Sequence, residues 1–372
     1  MNIRAAVMEQ PKAPLVVGEV ELDEPRRDEV LVRMLATGIC RSDLSFMDGK
    51  WPSPLPIVLG HEGAGVIEAV GEGVDESRVG ERVVLTFAPP CGRCRFCLEG
   101  RANLCLEAAA CMDAGTMRDG TTRLHRGDER VHHLALVSSF ADHAVVPANA
   151  AIPVIESLEP GLACLLGCGV TTGVMSVTRR ANVRPGESVA VFGCGGVGLA
   201  AVLGAGLISA QPVIAVDPLP DKRATALGLG ATHAVDPGEG DPAEQIRAIV
   251  PGGVDHAFEA IGIAEVADQA FRSVRDGGTT VLIGQPAMGV KAGFDVYDAT
   301  QFEHTILGSN LGGANPALHV PGLARLAASG RLELESLVTH RMPLEEINHA
   351  CEITASGAGG RVVIDLDGGS AP

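Results

Sequence analysis

Short apolar runs broken by turn residues fill roughly the first 170 positions of the chain. Ala5-Ala6-Val7, Glu29-Val30-Leu31-Val32-Arg33, Gly65-Val66-Ile67-Glu68-Ala69-Val70 and Arg82-Val83-Val84-Leu85 are separated by Pro25, Gly71, Gly73 and Gly80. That rhythm predicts a mainly β region of Greek-key or barrel type. From about Pro185 the period changes. Ser188 to Phe192 reads as a buried strand with a helix following from Val197, and Val213–Val216, Thr232–Val235, Val254–Phe258 and Thr279–Ile283 read as further strands. Helices are predicted over Asp221 to Leu229 and from Pro242, where Asp241 serves as N-cap and proline takes the first helical position. Strands alternating with helices imply βαβ units and a parallel sheet. The tail from about Leu311 returns to helices and short strands and closes with Arg361-Val362-Val363-Ile364-Asp365. The fold class expected is therefore α/β plus mainly β. One apolar stretch, Leu199 to Val216, is long enough to raise a membrane helix. Gly204, Gly206, Ser209 and the Gln211-Pro212 break make it read as a buried helix and then a strand.

A length of 372 residues suits two domains, each large enough for its own core. Lys plus Arg number 29 against 46 Asp plus Glu, a formal net charge of −17, which argues against a nucleic-acid binder. An apolar fraction of 46% with 20% charged residues argues against disorder. Met1 to Gln10 carries Arg4 and Glu9 without a long apolar core, so a cytoplasmic, reducing location is expected. In such a compartment ten cysteines point to metal or catalysis before disulfides.

Gly193-Cys194-Gly195-Gly196-Val197-Gly198 fits G-x-G-x-x-G between a strand and a helix. Its first glycine allows the tight turn, the second lets the backbone approach a pyrophosphate, and the third permits close helix–strand packing. Asp217 ends the next strand, nineteen residues after Gly198. A carboxylate there accepts both ribose hydroxyls and repels a 2′-phosphate, so NAD is expected over NADP.

Cys91, Cys94, Cys97 and Cys105 fall within fifteen residues. Four thiolates at that spacing can close a tetrahedral shell around a structural zinc. An iron–sulfur cluster is the rival. The seven-residue gap before Cys105, with no proline behind it, and the β-rich surroundings favour zinc.

Cys40, Gly60-His61-Glu62 and Cys168 are dispersed, and spacing alone does not join them. Here a resemblance enters. Gly60-His61-Glu62-x2-Gly65-x5-Gly71-x2-Val74 resembles the signature of zinc-containing medium-chain alcohol dehydrogenases. So do Gly38-Ile39-Cys40-Arg41-Ser42-Asp43, the four-cysteine segment, Leu166-Gly167-Cys168-Gly169, the glycine loop and the final Arg361 segment, in family order from about residue 5 to 365. The resemblance implies a GroES-like catalytic domain over 1–169 and 311–372 and a Rossmann doubly wound parallel-sheet domain over 170–310. It implies two zinc ions per chain, the catalytic one held by Cys40, His61 and Cys168 with an open fourth position. Glu62 would stand behind that metal and Asp43 would orient the His61 ring. Zinc would act as a Lewis acid on the alcohol oxygen while hydride passes to the nicotinamide. Ser42 matches the hydroxyl that takes the alcohol proton. Arg41 matches a residue that pairs with the cofactor pyrophosphate, and Gly193, Gly195, Gly196, Val197, Gly198, Asp217, Lys222 and Arg361 complete the NAD contacts. Ser45 stands where relatives often carry a relay histidine, so the relay is expected to end in water or another group.

By the same resemblance Trp51, Phe87, Ala110, Leu134, Ala135 and Asn310 line a roomy, mostly apolar substrate site, suited to primary or aromatic alcohols. Ala108 to Phe140 resembles the longer loop of dimeric members, so a homodimer is expected through edge strands near Val296 to Gly308, with a homotetramer next. Retained metal-ligand types argue against a zinc-free quinone or enoyl reductase, and the glycine loop argues against a non-enzymatic zinc module. A thiol-adduct-dependent formaldehyde dehydrogenase would keep every motif but need a basic pocket. A nicotinoprotein with non-exchanging NADH is also compatible. Cys111, Cys164, Cys194 and Cys351 are left to packing, with Cys194 expected to be oxidant-sensitive when cofactor is absent.

Overall fold

A computed structural model describes residues 1–357 and 359–366. The chain divides into two compact units, and the first comprises Met1–Cys168, Asn315–Gly330 and the described residues from Val338 to Leu366. Within it a closed barrel is built from Asn2–Met8, Val16–Leu22, Leu124–Arg126, Glu129–His133 and Ile57–Val58. A larger sheet runs in the order Ala151–Pro153, Arg82–Leu85, Gly63–Val70, Glu29–Ile39, Arg361–Asp365, Val338–Pro343, with His143–Pro147 also paired to Glu29–Ile39. The eleven-residue strand Glu29–Ile39 is the spine of that sheet. Its register against Gly63–Val70 shifts twice, between Leu31 and Val32 and between Met34 and Ala36. Such bulges bend a strand and increase its twist. Val7, Met34, Ile39, Leu59, Ile67, Phe140 and Val145 form the centre of one apolar core.

The second unit is Gly169–Ala314 with Arg331–Leu337. Its six strands are all parallel, in the order His233–Val235, Val213–Val216, Val189–Phe192, Val254–Glu259, Val274–Leu282, Thr305–Gly308. Numbered along the chain this is 3-2-1-4-5-6, the doubly wound arrangement whose crevice opens at the carboxyl end of the first strand. All four residues of Val189–Phe192 are buried, as a central strand covered on both faces requires.

Several expectations are sharpened or corrected. The Leu199–Val216 stretch is the helix Gly196–Leu207 and then a strand, and no single helix among the described residues is long and apolar enough to cross a membrane. Asp241 caps the helix Pro242–Ile249 by accepting from Ala243 N. The return to the first unit falls at Asn315 instead of 311, and Arg331–Leu337 packs with the second unit. Ala108 to Phe140 is no continuous loop: it contains most of the helix Leu106–Ala114 and two barrel strands. Of the segment Val296 to Gly308 only Thr305–Gly308 is a strand, because Asp295 accepts from Tyr297 N and Asp298 N and starts a helix there.

Burial in the first unit is not purely apolar. Arg123 is 1% exposed and forks onto Glu29, with Nε 2.8 Å and Nη2 2.6 Å from its two carboxylate oxygens. His133, also 1% exposed, accepts the Arg123 backbone N–H at Nε2. Burial, and then the positive charge of Arg123, pushes the His133 pKa down from 6.5 to about 3. A base lowered in the fold is neutral there, so its contribution to stability is complete above its unfolded pKa and is lost as pH falls from 6.5 towards 3. His133→Gln keeps an acceptor for Arg123 but cannot take up the proton. Its acid-unfolding midpoint, followed by circular dichroism, is expected below that of the wild type; an unmoved midpoint would place the critical proton elsewhere.

Candidate active site

The first site grows from three local features. Cys40 follows the last residue of the strand Glu29–Ile39 and precedes the short helix Arg41–Met47. His61 and Glu62 lie between the strands Ile57–Val58 and Gly63–Val70, entered through Gly60 at φ +88. Any β-carbon on Gly60 would collide with Phe140 and Ser139, so glycine is required twice over. Cys168 follows the turn Cys164–Gly167, where a β-carbon on Gly167 would fall 2.6 Å from the Leu85 carbonyl oxygen. Glycine at that place lets the cysteine approach the sheet.

These features bring Cys40, His61, Glu62 and Cys168 together, one ligand atom from each lying within 4.8 Å of the others. Two sulfurs, an imidazole nitrogen and a carboxylate suit zinc in both type and number. Asp43, fully buried, accepts from Cys40 N at 3.0 Å and Gly60 N at 3.2 Å, and holds His61 Nδ1 at 3.0 Å. That leaves His61 Nε2 for a metal, as the Asp43 pairing should ensure. Ser42 Oγ lies 3.0 Å from Cys40 Sγ and 3.1 Å from His61 Nε2, next to the ligand atoms. The Phe87 ring stands edge-on to His61, with centroids 5.6 Å apart. Contact with Cys168 and then with His61 holds the Cys40 thiol well below its usual range against the pull of burial. Burial works to lower the His61 pKa, yet the Asp43 carboxylate and Cys40 carry it up to about 10.

Glu62 pairs with Arg361 in a buried contact that joins residues 299 positions apart. Arg361 is thereby placed behind the cluster. Arg41 is exposed, and its guanidinium donates to the carbonyl oxygens of Thr354 and Ala355 at the end of the helix Ile347–Ser356. Ser45 directs its hydroxyl to the Arg41 carbonyl oxygen, 3.3 Å away. Of the residues expected to line the substrate site, Trp51 packs edge-on against Phe46, Leu134 and Ala135 sit in the core, and Ala110 is exposed on the helix Leu106–Ala114. Asn310 belongs to the second unit and is exposed.

Cys91, Cys94, Cys97 and Cys105 form the other cluster, again within 4.8 Å of one another. Cys91 and Cys97 sulfurs are 3.9 Å apart. Four sulfurs about 2.3 Å from one tetrahedral zinc are separated by about 3.8 Å. Donation from the Cys97 and Leu106 backbone N–H groups lowers the Cys94 pKa to about 6. Burial raises Cys97 to about 12. Cys194, by contrast, is fully buried and pushed up to about 12 by burial and the Asp217 charge, which runs against the expectation of oxidant sensitivity.

In the second unit Gly193 turns the chain at φ +90 directly after the strand Val189–Phe192. A β-carbon on Gly198 would overlap the Gly193 carbonyl oxygen, whereas one on Gly195 would meet nothing within 4 Å. The loop is closed tightly on its inner side and open at the helix N-terminus, the shape that admits a pyrophosphate. Gly196, Val197 and Gly198 form the first turn of that twelve-residue helix. Asp217 Oδ2 accepts from Cys194 N at 2.8 Å and Oδ1 from Leu219 N at 2.9 Å, so the carboxylate is pinned to the loop. Lys222 lies in the next helix, Pro220–Gly228. Two residues that motif reading passed over join this corner: Arg223 donates to the Asp217 carbonyl oxygen and pairs with Asp236. The signal available was a basic residue in the first turns after an acidic strand end.

Known proteins resemble this chain over nearly its whole length. Residues 26–156 match the family described as "Alcohol dehydrogenase GroES-like domain", and 196–328 match "Zinc-binding dehydrogenase". The chain is 39% identical to an NDMA-dependent alcohol dehydrogenase of Amycolatopsis methanolica over 98% of its length and 99% of the relative. It is 37% identical to an S-(hydroxymethyl)glutathione dehydrogenase of Synechocystis sp., over 98% and 100%. Among solved structures, an alcohol dehydrogenase zinc-binding domain protein from Burkholderia ambifaria superposes with a TM-score of 0.95 at 40% identity, covering 98% of this chain and 99% of that one. Benzyl alcohol dehydrogenase from Acinetobacter calcoaceticus does so with a TM-score of 0.93 at 35% identity and the same coverage. With both halves matched and full-length relatives well above a third identical, the chain belongs to the zinc-containing medium-chain dehydrogenase/reductase family, in its alcohol dehydrogenase branch, and is an oxidoreductase.

Proposed function

We propose that the protein is a zinc- and NAD-dependent alcohol dehydrogenase that interconverts a primary alcohol, bulky or aromatic, and its aldehyde. The observation that carries this reading is the convergence of Cys40, His61 and Cys168 with the Ser42 hydroxyl beside their ligand atoms. Those three residues would hold the catalytic zinc, and Cys91, Cys94, Cys97 and Cys105 a structural one. When bound, zinc supplies a Lewis acid to the substrate oxygen and NAD supplies the hydride acceptor. The protein's own groups do the rest. Asp43 fixes the tautomer and direction of His61 through Nδ1. Ser42 Oγ takes the alcohol proton as it passes its own onward, and with Ser45 turned to the Arg41 carbonyl the relay ends in water or another group. Glu62, neutralised by Arg361, backs the donor set with a carboxylate. Phe87 presents an apolar edge next to His61. Asp217 would accept the ribose hydroxyls of a bound NAD, and the glycine loop would receive its pyrophosphate.

A thiol-adduct-dependent formaldehyde dehydrogenase is the alternative reading, and it draws support from the likeness to S-(hydroxymethyl)glutathione dehydrogenases. A second reading of the cofactor, NADH held without exchange and recycled by a second substrate, draws support from the likeness to an NDMA-dependent relative. For assembly, the homodimer is favoured over the tetramer. The edge strand Thr305–Gly308 exposes Ile306, and Met288, Val296 and Tyr297 are 72%, 74% and 67% exposed.

Metal analysis of the purified protein is expected to find two zinc ions per chain, falling to one in Cys168→Ser with loss of turnover. Benzyl-type alcohols with NAD should generate the near-ultraviolet absorbance of NADH. Failure of aromatic and aliphatic primary alcohols alike, with and without a second electron acceptor, would sink the substrate reading. Dinucleotide released on denaturation, with no need of added NAD, would select the non-exchanging form.

Asp43→Ala removes the partner of His61 Nδ1 and leaves Cys40 N and Gly60 N without their acceptor. Zinc affinity at the Cys40 cluster should fall about 10–100-fold, the usual cost of losing such a partner. Competition with a chromophoric chelator measures it; retention equal to wild type would show that Asp43 does not orient the ligand.

A further inference from the structure

Two acidic residues stand one position beyond neighbouring strand ends in the second unit. The parallel pairing of Val216 with Val235 sets Asp217 and Asp236 side by side. Arg223, from the helix Pro220–Gly228, connects them. Its Nη1 donates to the Asp217 carbonyl oxygen at 2.7 Å, and its Nη2 lies 2.9 Å from Asp236 Oδ2. Asp236 is held in turn, its Oδ1 accepting from Gly238 N at 2.8 Å and its carbonyl oxygen from Gln245 Nε2 at 2.9 Å. The two charged side chains keep only 18% and 23% of their exposure. A pair so placed, between anchored elements, is far better defined than an exposed surface ion pair.

An arginine at this corner has a particular chemical meaning. The acidic residue after the second strand takes the ribose hydroxyls of NAD, whereas an arginine nearby accommodates the 2′-phosphate of NADP. This chain carries both. Arg223 is bonded to the backbone of Asp217 itself, so its guanidinium lies at the ribose end of the loop. Lys222 is the neighbouring cation, and its charge, with those of Asp217 and Arg223, reaches Cys194 in the glycine loop.

We propose that Asp236 is a specificity-determining residue: by holding Arg223 in an ion pair it withholds a guanidinium that would otherwise bind a 2′-phosphate, and so reinforces Asp217 in selecting NAD over NADP. The inference rests on the dinucleotide reading of the preceding section. Three effects then act together against NADP. Asp217 repels the phosphate, Asp236 adds a second negative charge at the same corner, and the Arg223 guanidinium, able to form a bidentate phosphate contact, is already engaged.

Calorimetric titration of the zinc-loaded protein with NAD and with NADP tests the assignment without relying on turnover. Asp236→Asn keeps an oxygen for Gly238 N while removing the charge, and Asp236→Ser offers a second variant that retains the turn. Either is expected to lower the ratio of Kd for NADP to Kd for NAD about tenfold, the scale of one charge-assisted hydrogen bond. Adding Arg223→Ala to Asp236→Asn should abolish most of that gain. If the ratio stays put in both single variants, or moves equally with and without Arg223, the assignment is overturned. If the wild-type protein binds no NAD at all, the dinucleotide reading fails and takes this inference with it, an outcome distinct from NAD binding with an unmoved ratio.

Discussion

Asp43 is fully buried, and a carboxylate taken out of water is tolerated only where hydrogen bonds replace its hydration. It finds them in three places: the backbone at Cys40, the backbone at Gly60 and the ring of His61. One residue therefore joins the end of the central strand, the glycine turn and the His61 imidazole. The turn has little freedom of its own, since Gly60 at φ +88 is packed against Phe140 and Ser139. The donor geometry is thus a consequence of satisfying one buried charge. Glu62 is treated the same way by Arg361, and Glu29 by Arg123. In this unit the buried charges act as fixed joints between strands distant in sequence.

The second unit uses shape in place of charge. A glycine at position 198 is needed because the helix start lies against the Gly193 carbonyl oxygen, and Gly195 leaves the loop open where a phosphate would approach. Gly173 serves the same end elsewhere: a β-carbon there would strike the Val197 carbonyl oxygen and the Ala200 side chain, so two helices meet at backbone distance. The helix that begins at Gly196 is held in place without a side-chain cap, its first N–H groups remaining available for an anion.

Much of this was legible in the sequence because it is local. The change from short β runs to strand–helix alternation, the Asp241-Pro242 helix start, the glycine loop and the four-cysteine spacing each concern residues close along the chain. The joining of Cys40, His61 and Cys168 was not, since it depends on three separate loops, and only the resemblance to a known family linked them. Pairings such as Glu62 with Arg361 lie 299 positions apart and have no local signature. The Val296–Gly308 error has a plain cause: Asp295 starts a helix in a segment whose composition also suits a strand. The division near residue 311 missed by a few positions because Leu311–Gly313 is a short helical turn that packs with the second unit.

The ten cysteines show how environment completes what spacing begins. Cys111, Cys164, Cys194 and Cys351 are all buried, and burial raises every one of their pKa values. These four, kept protonated and outside both clusters, behave as small apolar side chains, whereas Cys97, raised by burial as well, lies within a cluster. Cys40 is equally buried, yet Cys168 and His61 draw it in the opposite direction, and Cys94 is drawn down by backbone N–H groups. Burial alone therefore does not separate inert thiols from ligands. What separates them is whether the fold aims other donors and polar hydrogens at the sulfur, and that is settled by the same loops that bring the clusters together.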